Sequence, residues 1–414
     1  MPTDPYATAA DLGLMQGFPP APERRVTRTN ALMTPPFNRW SYQHMRTIYP
    51  SAPIRRGDVP IPLAVSIDDR IGDLAVRGVD GEAADLVEVL RTTYTDALVV
   101  VTRDHIVHES YMNGMTADQP HQMMSVTKSF AGLLGLMAVD DGALREDEAM
   151  TAVVPELASA SAFADATFGH VLDMVNSMDF DEDYADPHSA IIRYGQTLGW
   201  LQAPADAYPA DSVYDFLVSL EHDPAHAHGD VFHYQTPKTD ALNWATNRAT
   251  GTSFQDHLSD ALWSRLGTDG DTYVLLDRNG TLVAGGGLNA GPRNLARFAM
   301  MMLNGGAVDG DQIVPRRVID TIAAGASREA FAAGPDATGP LSGGDWSYRA
   351  QWWVRHTPGR EAFTAMGIHG QWIYIDITRG VAVVKQSSQP VSLDLAMDQV
   401  NLDLIDAIID LVAS

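Results

Sequence analysis

Strand-like segments occur near both ends of this 414-residue chain and flank a long middle part that has helical patterns only. Early strands are predicted at Ala97 to Thr102 and Ile106 to Tyr111, where apolar and β-branched residues flank an Arg-Asp turn. Late strands are predicted near Trp346 to Val354, Trp372 to Ile377 and Val381 to Gln386. This order predicts an α/β sheet domain made from both ends of the chain, with an all-helical domain inserted between them.

The helical segments have apolar residues at helical spacing. They are predicted at Ala83 to Tyr94, Met124 to Val139, Thr167 to Val175, Ser212 to Leu220, Thr239 to Ala249, Pro292 to Leu303 and Leu393 to Val412. Residues 1–60 are rich in proline and arginine and lack periodicity, which predicts an arm packed on the body of the protein. We therefore expect a sheet domain from residues 61–115 plus 285–414, and a helical domain from residues 116–284.

The net charge of −25, from 53 acidic and 28 basic residues, repels nucleic acid and anionic membrane surfaces. No stretch approaches the roughly 20 consecutive apolar residues of a membrane span, and the start lacks the features of a secretory signal peptide. We expect no nucleic-acid or membrane partner and a cytoplasmic location. The lack of cysteine excludes disulfides, cysteine nucleophiles and thiolate metal sites. A homodimer would be ordinary for such a chain.

A serine and a lysine stand three residues apart at the start of a predicted helix, in MMSVTKSF. Ser125 would lie in the first turn, where backbone N–H groups have no partner within the helix, and Lys128 falls on the same face. One helix end then offers a nucleophile, a base and a backbone donor for an oxyanion. The simpler interpretation is a capping serine followed by an exposed lysine, but the apolar residues around them predict a buried helix.

A lysine can take the proton of a serine only if burial or a neighbouring charge lowers its pKa from about 10.4. A second polar group usually shares this task, and Tyr234 in HYQTPKTD is the candidate. A loop tyrosine more often serves surface packing. The residues alone leave both roles of Tyr234 open.

Several blocks of the chain resemble the serine β-lactamase and penicillin-binding protein superfamily. The S-x-x-K pair of Ser125 and Lys128, then Tyr234, then the segment AMGIHGQWIYID are similar to its three motifs. Within the superfamily, the chain most resembles the nylon-oligomer (6-aminohexanoate-dimer) hydrolases. Six blocks between about residue 35 and about residue 390 carry this similarity: PPFNRWSYQH, MSVTKSF, DEDYADP, FHYQT, GGGLNAGPRNLARF and MGIHGQWIYID.

The resemblance implies a β-lactamase-like fold, in which an antiparallel sheet is flanked by helices and the active site lies between the sheet and the inserted helical domain. It implies a serine hydrolase that forms an acyl-enzyme and cleaves linear amides of the 6-aminohexanoate type and small carboxylic esters. Ser125 would be the nucleophile, and Lys128 and Tyr234 would together take and return its proton. The backbone N–H groups of Ser125 and Ile368 would form the oxyanion hole.

Three substrate-binding candidates follow from the same resemblance. Tyr184 matches the family's mobile-loop tyrosine and would hydrogen-bond the leaving amine, with Asn289 supporting it. Where β-lactamases have Lys or His, then Thr or Ser, then Gly, this chain has Ala365-Met366-Gly367, so the usual cationic anchor is missing. In the alternative register, Ile368-His369-Gly370, His369 would partly replace that anchor.

The chemistry requires no metal or organic cofactor, and the expected partner is a small amide or ester substrate. Two alternatives stay open: a carboxylesterase with little amidase activity, and a non-catalytic binding protein that kept the fold. The missing cationic anchor and the absence of a Ser-Asp-Asn motif disfavour a β-lactamase or D,D-peptidase. The stretch Ile191 to Gly195, after Tyr184, has no carboxylate to bind a substrate ammonium, which argues against efficient oligomer cleavage.

Overall fold

The computed structural model of the protein describes residues 4–204 and 210–414. Its strands are β1 Ser51–Pro53, β2 Ala75–Arg77, β3 Ala83–Asp85, β4 Thr95–Thr102, β5 Ile106–Tyr111, β6 His121–Gln122, β7 Tyr273–Leu275, β8 Leu288–Ala290, β9 Ala307–Val308, β10 Asp311–Gln312, β11 Trp346–Arg349, β12 Trp352–Arg355, β13 Ala362–Gly367, β14 Gln371–Asp376 and β15 Val381–Ser387. Its α-helices are α1 Asn38–Ser41, α2 Leu86–Thr92, α3 Val126–Asp140, α4 Met150–Val153, α5 Phe168–Leu172, α6 Ala190–Leu198, α7 Val213–Leu217, α8 Pro237–Thr250, α9 Phe254–His257, α10 Pro292–Leu303, α11 Arg316–Ala324, α12 Arg328–Ala333 and α13 Leu395–Val412.

The main sheet has seven strands in the order β11-β12-β13-β14-β15-β4-β5, and every neighbouring pair is antiparallel. The early strands β4 and β5 thus pair beside the late strand β15, as the sequence predicts for a sheet made from both ends of the chain. Within the described part of the middle region, residues 143–204 and 210–270, the regular elements are helices and turns. The predicted antiparallel sheet flanked by helices is confirmed.

Helices cover both faces of this sheet. Along β4, Val99 and Val101 pack into a core that includes α3 and α10, whereas Leu98 and Val100 pack into a second core that includes α2 and α13. Side chains of a strand alternate between faces, so burial on both sides requires an unbroken apolar run. That is why this strand reads as a continuous apolar stretch.

Some local elements differ from the sequence-based expectations. The first residues of the predicted helix Ala83 to Tyr94 form β3, and α2 starts only after Asp85, whose side chain accepts a hydrogen bond from Glu88 N. The region Trp346 to Val354 is a hairpin of β11 and β12, because Ala350 and Gln351 turn the chain with positive φ angles of 49° and 65°.

A second sheet of four strands, in the order β1-β7-β8-β6, was not predicted. Its strands have two or three residues each, which is too short to show alternation in the sequence. This sheet holds the segment that leads into α3, because β6 pairs with β8 just before that helix begins. The exact limits of the arm, the sheet domain and the helical domain stay a prediction.

Across residues 4–204 and 210–414, none of the helices combines the length and the apolar character needed to span a bilayer.

Candidate active site

Ser125 and Lys128 meet at the start of α3. Ser125 precedes the first helical residue but makes no side-chain capping bond, and the Lys128 ammonium lies 2.6 Å from its Oγ. Met124, the residue before Ser125, has a positive φ of 47°, a conformation that non-glycine residues rarely adopt. Both side chains are buried, Ser125 to 8% exposure and Lys128 to 1%. The simpler interpretation of an exposed lysine beside a capping serine is therefore wrong.

Burial lowers the pKa of Lys128 to about 8, and the negative charges of Glu182 and Asp240 limit the shift. Its second acceptor is the carbonyl of Gly285, at 2.7 Å. Asp240 fixes the turn that contains Gly285, because its Oδ1 accepts hydrogen bonds from Ala284 N and Gly285 N. The lysine is thus fixed in place while its charge is destabilised, which suits a group that must accept a proton.

Glycine is required at position 285 for this approach. A Cβ there would lie 2.8 Å from the Thr236 side chain and 3.1 Å from both Asp240 Oδ2 and the Tyr194 hydroxyl. Any other residue would push the turn away from these neighbours. The carbonyl of Gly285 would then lose its position against Lys128.

Tyr234 lies on the loop just before α8, with its ring centroid 5.0 Å from Lys128 Nζ. Burial raises the pKa of the phenol well above its usual value, and the neighbouring Ser125 side chain opposes this rise. The ring stacks on Trp353 with centroids 5.3 Å apart. The structure therefore brings together the three residues that the sequence motifs single out.

Two backbone N–H groups near the nucleophile are unpaired within the described residues. In the described parts of the chain, neither the N–H of Ser125 nor that of Ile368 has a hydrogen-bond acceptor. Gly367, at the end of β13, permits this closeness, since a Cβ there would lie 2.6 Å from Met123 O and 3.1 Å from Ser125 N. The Ser125 and Ile368 residues also line the same cavities.

Tyr184 lines both of the cavities that Ser125 lines. Its hydroxyl donates to Glu182 Oε1 at 2.7 Å, and burial raises the pKa of the phenol well above its usual value. The same carboxylate accepts from Thr236 N at 2.6 Å and from Thr236 Oγ1 at 2.7 Å. Glu182 therefore ties the Tyr184 loop to the Tyr234 loop.

The structure does not bring two of the predicted substrate-binding residues to the site. Asn289 is fully buried in β8, where its amide donates to Gln122 Oε1 and Gly287 O, and it lines neither cavity. His369 is 1% exposed, and its Nδ1 lies 2.7 Å from Gln389 O. The larger cavity is lined by its neighbours Ile368 and Gly370 and not by His369 itself.

Two cavities meet at the nucleophile. The smaller one, of about 70 Å³, is mainly apolar and includes Leu32 of the N-terminal segment, Ile191 and Trp200. The larger one, of about 250 Å³, is lined by three carboxylate residues, Glu182, Asp336 and Asp398, and in its described lining there is no lysine or arginine. The carboxylates that the stretch Ile191 to Gly195 lacks are thus supplied in the larger cavity by other parts of the chain.

The sequence analysis missed these acidic residues for different reasons. Glu182 stands in the run DFDEDYADP, two residues before Tyr184, so its position was a usable signal. Asp336 and Asp398 lie in the late part of the chain, and only the fold brings them into the cavity that Ser125 also lines.

Comparisons with known proteins identify the family and the fold. The protein-family model described as Beta-lactamase matches residues 83–405. A 6-aminohexanoate-dimer hydrolase from Paenarthrobacter ureafaciens is 34% identical over 355 residues, which cover 86% of this chain and 86% of that protein. The solved structure of a Bacillus anthracis protein, provisionally assigned as a 6-aminohexanoate-dimer hydrolase, is 27% identical with a TM-score of 0.84, covering 95% of this chain and 98% of that one. A family VIII carboxylesterase shares the fold, with 15% identity and a TM-score of 0.54 over 75% of this chain and 90% of its own.

Proposed function

The chain belongs to the beta-lactamase family of hydrolases, and we propose that it is a serine hydrolase that cleaves linear amides of the 6-aminohexanoate oligomer type and small carboxylic esters. The observation that carries the proposal is the 2.6 Å contact between Lys128 Nζ and Ser125 Oγ in a buried site beside Tyr234. The relationship to the Paenarthrobacter ureafaciens hydrolase supports the amide substrate.

In the proposed mechanism, Ser125 Oγ attacks the substrate carbonyl while Lys128 and Tyr234 take its proton. The N–H groups of Ser125 and Ile368 stabilise the oxyanion of the tetrahedral intermediate. The proton then passes to the leaving amine or alcohol, which departs and leaves an acyl-enzyme on Ser125. A water molecule attacks this ester, the same groups accept its proton and return it to Ser125 Oγ as the C–O bond breaks, and the carboxylic acid product is released.

The charge of the larger cavity supports a substrate with an ammonium group. Burial raises the pKa of Asp398 to about 7 and that of Asp336 to about 6, so both are mostly ionised at pH 8. Among the described residues the Asp398 carboxylate accepts no hydrogen bond, so its oxygens are available to a substrate, and the buried Lys385 acts on it only electrostatically. A substrate carboxylate, such as that of a β-lactam, would be repelled from the same place.

The substrate proposal is tested by comparing kcat/KM for the linear 6-aminohexanoate dimer, its N-acetylated form and p-nitrophenyl acetate at pH 8. We expect all three to be hydrolysed, with the N-acetylated dimer slower by roughly tenfold or more, because one charge-assisted interaction is lost. Turnover of the ester without cleavage of either dimer would instead identify a carboxylesterase. The apolar walls of the smaller cavity, which suit a short acyl chain, make this the second candidate.

Tyr184→Phe is expected to lower amide hydrolysis by about 10 to 150-fold, which corresponds to about 1.5 to 3 kcal/mol for a hydrogen bond to a developing charge. Ester hydrolysis should change by less than about threefold, since an ester's leaving group needs little protonation. The measurement is kcat/KM of wild type and variant on the dimer and on p-nitrophenyl acetate. Equal losses on both substrates would remove Tyr184 from leaving-group stabilisation and assign it to packing of its loop.

A further inference from the structure

Lys238 is a buried lysine that the proposed chemistry does not use. It is 0% exposed and occupies the second position of α8, where the positive end of the helix dipole disfavours a cation. Its ammonium donates to the carbonyls of Met174 and His233, both at 3.0 Å. Burial lowers the pKa of Lys238 to about 7, and a buried amine that is costly in either form calls for a specific role.

Asp336 acts on the other side of the same peptide group. Its Oδ2 accepts a hydrogen bond from Tyr234 N at 2.8 Å. The carbonyl of His233 and the N–H of Tyr234 belong to one planar peptide unit, so Lys238 holds one end of it and Asp336 holds the other. This unit cannot rotate without breaking a charge-assisted hydrogen bond.

The two partners come from opposite sides of the site. Lys238 is on α8, whereas Asp336 is on the loop that follows α12 and also lines the larger cavity. The loop that carries Tyr234 has one more backbone hydrogen bond, in which Met174 O accepts from His233 N at 3.2 Å. The Tyr234 ring itself is held by its stacking on Trp353. Backbone and ring are thus fixed independently.

We propose that Lys238 and Asp336 form a hydrogen-bonded clamp on the His233–Tyr234 peptide that positions the Tyr234 hydroxyl for proton transfer with Ser125. The proposal rests on the serine hydrolase function proposed above. Both are positioning residues, because they act through Tyr234 and not on the reacting atoms. Small displacements of a catalytic group by about 1 Å can lower the rate by about 100-fold.

The test uses p-nitrophenyl acetate, which has no charged group to interact with Asp336. Lys238→Met and Asp336→Ala should each lower kcat by roughly 10 to 100-fold, with KM changed by less than about threefold. Asp336→Asn should keep at least about fivefold more of kcat than Asp336→Ala, because its amide oxygen can still accept from Tyr234 N. The rates are expressed per folded enzyme, measured by near-ultraviolet circular dichroism.

Lys385→Met is the matched control. Lys385 is also 0% exposed, and its ammonium donates to Ser387 Oγ on β15. This variant should lower the melting temperature but leave kcat within about threefold, which separates the clamp from the general cost of removing a buried lysine.

The clamp is overturned if Lys238→Met keeps kcat within threefold, or if Asp336→Asn falls as far as Asp336→Ala. If Lys238→Met does not fold, the Asp336 pair decides alone. Failure of the proposed function would look different, because the wild-type enzyme itself would then show no Ser125-dependent hydrolysis.

Discussion

Ser125→Ala is expected to lower hydrolysis of both the 6-aminohexanoate dimer and p-nitrophenyl acetate by about 10⁴-fold or more. Alanine removes the only atom that can form the acyl-enzyme, and loss of a nucleophile from a catalytic unit removes most of the rate enhancement. The Lys128 ammonium would lose its 2.6 Å contact, but its bond to Gly285 O would keep it in place. The measurement is kcat/KM on both substrates, with fold checked by circular dichroism.

Ser129→Ala is the matched control for this substitution. Ser129 lies on the same helix and is 1% exposed, and its hydroxyl donates to Gln351 O at 2.6 Å. Its loss should cost stability but leave the rates within about threefold. If Ser125→Ala still hydrolyses the ester at a rate near that of Ser129→Ala, Ser125 is not the nucleophile.

Lys128→Arg is expected to lower kcat/KM by about 10³-fold, within the range of general acid–base catalysis. Arginine keeps the positive charge but does not release its proton at any working pH. The larger guanidinium must also fit where Lys128 is 1% exposed, so fold and melting temperature are measured together with the rates. Substantial retained activity in a folded variant would show that Lys128 acts only as a fixed charge.

The pH dependence of the wild-type rate distinguishes the same two roles. Burial lowers the pKa of Lys128 to about 8, so the neutral form that can accept a proton increases as the pH rises through that value. Activity should therefore rise with pH through an apparent pKa near 8, which belongs to the coupled Lys128 and Tyr234 pair. In Lys128→Arg this rise of activity with pH should be absent. A flat wild-type profile between pH 6 and 10 would contradict proton transfer to the lysine.

Long elements with a clear period could be predicted from the sequence. The helix α10 has the predicted limits, Pro292–Leu303, because a proline starts it and its apolar face is regular. The strands β4 and β5 were also found, since their apolar runs are bounded by a turn. The second sheet could not be found, because strands such as β6, with two residues, are fixed by their partners and not by their own pattern.

The active site was predictable to the extent that its residues occur in local motifs. Ser125 and Lys128 are three residues apart on one helix, so their contact follows from helix geometry. The contact of Lys128 with Gly285 spans 157 residues, and that of Tyr234 with Asp336 spans 102. No local pattern encodes such contacts, and only the packing of the two sides of the site creates them.

Asn289 shows that a residue within a recognisable motif need not face the cavity. The family resemblance implied a position near the substrate for Asn289, but β8 pairs with β6 and β7 and the Asn289 amide donates to Gln122 Oε1. A one-residue change of strand register would reverse the direction of this side chain, and such a register cannot be derived from a three-residue strand.

Covalent labelling by a fluorophosphonate probe, followed by mass spectrometry of the intact protein and its peptides, tests the central claim most directly. The wild-type enzyme should gain one phosphonyl group per chain, located on Ser125, and lose its hydrolytic activity in proportion. Ser125→Ala should gain none. An unlabelled wild-type protein, or equal labelling of wild type and Ser125→Ala, would contradict Ser125 as the activated nucleophile.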